Sequence, residues 1–218
     1  MEAKANQIQS TNVSGVFLSE RNDVMEIAGV ILAAGRSARM AGNLKMTMDL
    51  NGRTVIERSI DSLSPFCSRI VVVTGFHSEA VRESAGHCRE VVFVHNADCE
   101  KGMFSSLKMG LGHTEGERVL ILPGDCPFIT HEVCEKLLQS KRDIVLPAYQ
   151  GKNGHPVLLS RRAIEGLLAD EHCQSLQEYI CANKAEIIAV DRPEILWDID
   201  TPEDYVKSVA YFQVKEAR

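Results

Sequence analysis

The sequence predicts an α/β domain whose mainly parallel sheet is covered by helices on both faces, and three observations carry that expectation. Short β-branched runs alternate with amphipathic stretches from Ile27 onward, the pattern of strand–helix–strand crossovers. Several helix starts carry recognisable caps. The chain has 218 residues, which suits a single domain able to bury a full core.

Taken in order, residues 1–24 are polar, rich in Asn and Ser, and show no sustained period, so they read as a mobile extension, with Met25 as the functional start of a domain over 25–218. The apolar run 27–33 is the first strand, followed by a helix at 54–63, the strand 69–74 (RIVVVT) and a helix at 77–86. The strand 90–94 (EVVFV) leads to a helix at 104–112, which Ser105 or Ser106 could cap. The strand 117–122 (ERVLIL) leads to a helix at 130–140 that places Val133, Leu137 and Leu138 on one face behind a Thr130 cap. Strands at 143–147 and 155–159, helices at 161–169 and 174–182, and a strand at 185–190 follow. Thr201-Pro202-Glu203-Asp204 opens the last helix, 201–212, with an N-cap, a first-turn proline and acids where the helix dipole favours them.

Composition narrows the function. The chain carries 24 Lys and Arg against 30 Asp and Glu, a formal charge of −6, which argues against broad nucleic-acid or membrane-surface binding. No apolar run approaches bilayer length. The seven cysteines are scattered, without a C-x-x-C pair or a secretory signal, and fit reduced thiols in a cytoplasmic protein. The seven histidines lack ligand spacing, and no Ser-His-Asp arrangement is evident.

The chemistry concentrates at strand ends, where open parallel sheets bind ligands. In IAGVILAAGRSARMAGNLK, residues 27–45, a strand runs into Ala33, Ala34 and Gly35, small enough for bare backbone to approach a ligand. Arg36, Arg39 and Lys45 then add positive charge, which reads as a polyphosphate site. A Walker loop is excluded because Met46 follows Lys45, and a dinucleotide fingerprint because Ala34, Ala38 and Met40 break the glycine pattern. Asp125, in LPGDCP, ends an apolar strand opposite this loop and suits a Mg²⁺ ion that keeps several waters; turn formation by Gly-Asp-x-Pro explains it as well. Asp198 and Asp200 flank Ile199 and, in an extended segment, point to the same side, so one site can receive both, one of them holding the metal. Gly154 permits close approach, and His155 beside it could donate to an anion or be an ordinary turn histidine.

LAAGRSARM with Lys45, then NADCEKGMFSSLKMGL, GDCP, NGHPVLLS and DIDTPED, come in the order found in molybdenum cofactor cytidylyltransferases and their MobA/MocA-like relatives, and the chain resembles that family over about residues 27–212. The resemblance implies a three-layer GT-A-like nucleotidyltransferase fold and transfer of CMP from CTP to the phosphate of molybdopterin, with Mg²⁺ as cofactor and pyrophosphate as product. Ala33, Ala34, Gly35, Arg36, Arg39, Lys45, Ser105 and Ser106 would bind the nucleotide, Gly154 and His155 the acceptor, and Asp125 and Asp200 the metal, with Arg39, Lys45 and Asp125 catalytic. Lys45 and Arg39 would work from one side of the substrates, and the metal on its carboxylates from the other. The loop Arg39-Met40-Ala41-Gly42-Asn43-Leu44-Lys45 has one residue more than the cytidylyl pattern, the spacing of the guanylyl branch, whereas Ala34-Gly35 and the GHP and DIDTP segments favour CTP. Asp49 stands where the family usually has proline. Other readings are guanylyl or adenylyl transfer, a sugar-phosphate nucleotidyltransferase, and a non-catalytic carrier serving a molybdenum hydroxylase client.

Overall fold

The computed structural model describes residues 26–88 and 90–217; the expected extension over 1–24 and the start at Met25 lie outside them. The first strand, β1 (Ile27–Ala33), pairs in parallel with β2 (Arg69–Thr74) on one side and β4 (Arg118–Pro123) on the other, which puts it in the middle of an eight-stranded sheet. Beyond β2 lies β3 (Val91–His95), again parallel. On the other flank, β7 (Val157–Ser160) runs antiparallel to both β4 and β5 (Ile144–Tyr149). The two-residue strand β6 (Lys152–Asn153) folds back on β5, and β8 (Glu186–Ala189) pairs with β5 in parallel.

Helices complete the layers. On one face, α1 (Val55–Leu63), α2 (Ser78–Ala85) and α4 (His131–Gln139) bury Ile56, Ile60, Leu63, Val81, Val133 and Leu137 against Ile31, Val72, Leu120 and Leu122. On the other, α3 (Met103–Leu111), α5 (Arg161–Ala169) and α6 (Leu176–Ala182) bury Leu107, Leu111, Ile164, Leu167 and Tyr179 against Val30, Val71, Val73 and Ile121. Neighbouring strand residues go to opposite faces, as the two-residue period of a strand requires. A third cluster, of Met40, Leu50, Val55, Phe128, Ile199 and Phe212, lies under α7 (Pro202–Glu216) and joins the loop after β1 to the C-terminal helix.

Three expectations are corrected. Helix α7 continues past residue 212 to Glu216, whose carboxylate is held by Asn51 and by Arg58 at 2.6 Å, with the Arg58 guanidinium 4.2 Å above the Phe212 ring. Thr130 occupies the N-cap of α4, but its hydroxyl makes no cap bond. Neither Ser105 nor Ser106 caps α3; Gly102 stands at that N-cap. The capping box expected at Thr201 is present, with Asp204 answering it.

Candidate active site

The loop after β1 is shaped by its own turns. Ser37, Ala41 and Gly42 adopt positive φ values of 53°, 49° and 89°, and Met40 N–H donates to Ser37 O at 3.0 Å. The buried Met40 side chain anchors the loop in the third cluster. The backbone N–H of Lys45 donates to Ser37 Oγ at 3.3 Å, and Lys45 opens a short 3₁₀ turn, Lys45–Thr47. This aims the Lys45 ammonium inward, where it meets the Asp125 carboxylate directly and Asp200 Oδ1 at 3.0 Å. Arg39 reaches Asp200 Oδ2 at 2.5 Å from an exposed position.

The two acids are brought together by the backbone. Asp125 follows β4, in a turn held by Gly124 N–H to Leu32 O at 2.9 Å and by the Ser59 hydroxyl to Gly124 O at 2.8 Å. The Ile199 N–H then donates to Asp125 O at 3.0 Å and lays the Asp198–Asp200 segment alongside. Asp198 does face this group: burial first, and then the Asp200 and Asp125 charges, raise its pKa above the ordinary carboxylate value. Burial by itself would lower the Lys45 pKa, but the charges and hydrogen bonds of Asp125 and Asp200 overcome it and leave the pKa raised. The Lys45 side chain is only 11% exposed, so its charge needs a counter-ion within reach. That need is why lysine and carboxylates meet here, in place of the opposed arrangement expected from the sequence.

Two clefts open on either side of this ion cluster and share Lys45, Met103, Pro123 and Asp125 as a common wall. The first, of about 350 Å³, is lined by Ala34, Gly35, Arg36, Phe76 and Ser106 among others. Gly75 lies beneath it without room for a side chain, since a Cβ would come within 2.8 Å of Ala34 O. At the mouth, Arg36 lies 4.1 Å above the Phe76 ring and pairs with Glu100 at 2.9 Å. The second cleft, of about 390 Å³, is lined by Arg39, Gly154, His155, Trp197, Asp198 and Asp200 among others. A Cβ on Gly154 would lie 2.5 Å from Ile195 O. His155 Nδ1 is buried with no partner, and burial holds its pKa below the usual histidine value, opposed by Asp125.

The expected residues are thus gathered with two exceptions. The Ala33 side chain packs into the core with Ile31 and Met46, so that residue delivers the chain to the first cleft without lining it. Ser105 does not line the cleft as Ser106 does, and its hydroxyl donates to Gly102 O at 2.8 Å. Both serine hydroxyls accept from the Asn96 amide, at 2.9 and 3.0 Å. Asn96, buried and central to this link, was missed in the sequence because an Asn-Ala-Asp segment reads as turn chemistry; its place at the head of NADCEKGMFSS was the available signal. The Cys126 thiol, next to Asp125, has its pKa pushed well up, chiefly by burial, which leaves it inert as a nucleophile. Among the described residues no three or more His, Cys, Asp or Glu side chains converge as a metal cluster, so a cation here would rest on few protein ligands.

Comparison with known proteins agrees with this geometry. Residues 29–186 match the MobA-like NTP transferase domain. The molybdenum cofactor cytidylyltransferase of Escherichia coli is 29% identical over 178 residues, covering 81% of this chain and 92% of that protein. The molybdenum cofactor guanylyltransferase of Photobacterium profundum is also 29% identical, over 182 residues, covering 80% of this chain and 91% of that one. Among solved structures, a nucleotidyl transferase from Methanothermobacter thermautotroptrophicus superposes with a TM-score of 0.75 at 22% identity, covering 87% of this chain and 99% of that chain.

Proposed function

Because this chain belongs to the MobA-like NTP transferase family, and is therefore a nucleotidyltransferase, we propose that it moves CMP from CTP onto the phosphate of molybdopterin and releases pyrophosphate. The observation that carries this reading is the wall of Lys45 and Asp125 shared by two clefts, because transfer between two bound substrates needs one charged meeting point. The first cleft, with its small residues and Arg36, suits the nucleotide; the second, with Gly154 and His155, suits the acceptor. The preference for CTP rests on the Ala34-Gly35 turn and on the GHP and DIDTP segments, which resemble those of the cytidylyl branch.

In the reaction an acceptor phosphate oxygen attacks the α-phosphorus of the nucleotide, and the bond from that phosphorus to the bridging oxygen of pyrophosphate breaks. A phosphate monoester is already largely dianionic at neutral pH, its second pKa being about 6, so no strong general base is required. This fits a site without a histidine–serine constellation. The task left to the protein is to hold two mutually repelling anions together and to neutralise the charge that builds on the leaving group. Lys45 supplies a fixed, buried positive charge at the junction. Arg39, exposed and tied to a single carboxylate, is free to turn toward the triphosphate. Asp125 and Asp200, which both hold Lys45 here, are hard oxygen donors that would suit Mg²⁺ with water completing its shell, the cation sharing their oxygens with the ammonium. Bound there, Mg²⁺ would offset triphosphate charge.

The test is pyrophosphate release by the purified protein with Mg²⁺ and molybdopterin, with CTP, GTP and ATP compared in parallel. Release with CTP alone is the expected result. A preference for GTP or ATP overturns the base assignment, and no release with any of them, despite demonstrable acceptor binding, overturns the enzymatic reading of this acceptor in favour of a carrier. Asp125→Ala should lower turnover by ~10²–10³-fold; near-normal turnover would remove Asp125 from the metal site.

A further inference from the structure

A third cavity, larger than either cleft, lies beside them. A groove of about 970 Å³ runs between the 3₁₀ turn Pro193–Leu196 and α7, and it meets the second cleft along Leu196, Trp197 and Asp198, which line both. Trp197, the single tryptophan of the chain, is 40% exposed and makes edge-to-face contacts with Phe128 and Tyr211, both at 5.6 Å. Two polar atoms of this groove are buried without a partner: Thr130 Oγ1, released by the missing cap bond on α4, and Glu194 Oε2. The Tyr211 hydroxyl interacts with the Glu194 carboxylate without satisfying Oε2, and the neighbouring Arg192 does not answer it either, because its guanidinium is engaged by Glu132 Oε2 at 2.5 and 2.9 Å.

A buried carboxylate oxygen and a buried hydroxyl left unpaired in the same aromatic groove are costly features for a fold to keep, and they define what would satisfy them. An ionised carboxylate only accepts, so it calls for hydrogen-bond donors, and two adjacent N–H groups in a plane match its geometry. The aromatic wall calls for a flat ring. We propose that this groove receives the ring system of the acceptor, a fused heteroaromatic with an amino-oxo-pyrimidine edge, whose N–H groups donate to Glu194 and whose remaining edge meets the Thr130 hydroxyl, against the aromatic side chains of Trp197 and Tyr211. The substituent carrying the phosphate then follows Leu196, Trp197 and Asp198 into the second cleft toward Lys45. This rests on the proposed transfer to molybdopterin and supplies a site for its ring end, with Glu194 and Thr130 as specificity-determining residues.

The probe is 6-hydroxymethylpterin, which carries the ring but no phosphate, so its binding is independent of nucleotide chemistry. Titrated into the full chain, it should give saturable heat and a saturable quench of Trp197 emission. Because Trp197 is the single tryptophan of the chain, that quench reports this groove, and calorimetric binding should persist in Trp197→Phe. Glu194→Gln, checked for folding by circular dichroism, should weaken pterin binding about 10-fold or more, with CTP binding unchanged. If that variant does not fold, Thr130→Val provides the second arm and should also weaken the pterin. Absence of saturable binding, or equal affinity in a folded Glu194→Gln protein and in Thr130→Val, overturns the proposal. Pyrophosphate release from CTP and molybdopterin without pterin binding would reject the groove and leave the reaction standing. Pterin binding without release from the complete substrates would reject the reaction and leave the groove standing.

Discussion

Replacing Lys45 by methionine keeps the length of the side chain and removes the charge between Asp125 and Asp200. At 3.0 Å from Asp200 Oδ1 the gross attraction is about 5.5 kcal/mol at an effective dielectric constant of 20, with the contact to Asp125 in addition. Breaking a buried pair by removing one partner typically costs ~3–5 kcal/mol, and because Asp125 and Asp200 keep 16% and 23% of their side-chain exposure the lower end applies, about 3 kcal/mol at neutral pH. For a chain of this length that lowers Tm by roughly 6–12 °C. In the variant the two carboxylates face each other without the ammonium between them. Mg²⁺ should raise the Tm of the variant more than that of the parent protein, because the cation replaces the missing charge. Pyrophosphate release should fall by ~10²–10³-fold. Thermal melts with and without Mg²⁺ and the pyrophosphate assay check all of this, and a variant melting within about 2 °C of the parent at pH 7 would refute the coupling.

Adding one methyl group separates the two clefts kinetically. Gly154→Ala brings a Cβ against the Ile195 carbonyl and should raise KM chiefly for the acceptor, whereas Gly75→Ala, which crowds Ala34 O and Cys99, should raise it chiefly for the nucleotide; each should also cost ~1–3 kcal/mol in denaturant melts, and an unchanged KM pair would contradict the assignment of the clefts. Glu57 closes the capping box of α1 through the Thr54 backbone and hydroxyl, and although burial pushes its pKa up, those hydrogen bonds and the His87 charge bring it below the ordinary glutamate value. A depressed carboxylate stabilises the fold above its unfolded pKa and ceases to do so as pH falls through the folded one, so Thr54→Ala should cost ~0.5–2 kcal/mol at pH 7 and progressively less below about pH 4.5, read from urea midpoints.

Most of the framework was legible because local pattern and tertiary role agree in it. The run 27–33 and the helix 161–169 appear with the expected bounds, since an apolar run ending in small residues and a helix opening on Ser160 need no distant partner to define them. The reversed direction of β7 was not visible, because residue alternation carries no information about which way a strand runs. The last turn of α7 was hidden for a different reason: it is held by Arg58 and Asn51, more than 150 positions earlier in the chain. In the site, single charged residues at strand ends were readable, and Lys45, Arg39, Asp125 and Asp200 do meet. Their mutual contact was not, because it depends on how deeply the lysine is buried. The Asn96 link and the Trp197 groove escaped notice because each joins a loop to a distant face of a helix, and the residues involved have nothing unusual in their spacing.

The cluster under α7 bears on how this protein can be cut. The family match stops at residue 186, a natural place to draw a fragment boundary. A chain ended there would lose Ile199 and Phe212, on which Met40 rests, together with Asp200, the carboxylate that both Arg39 and Lys45 hold. The cationic loop at the other end of the chain would then have neither floor nor tether. The smallest working unit therefore reaches to the C-terminal helix, and any tag or fusion placed there pulls on the same strap that sets the geometry of the nucleotide loop.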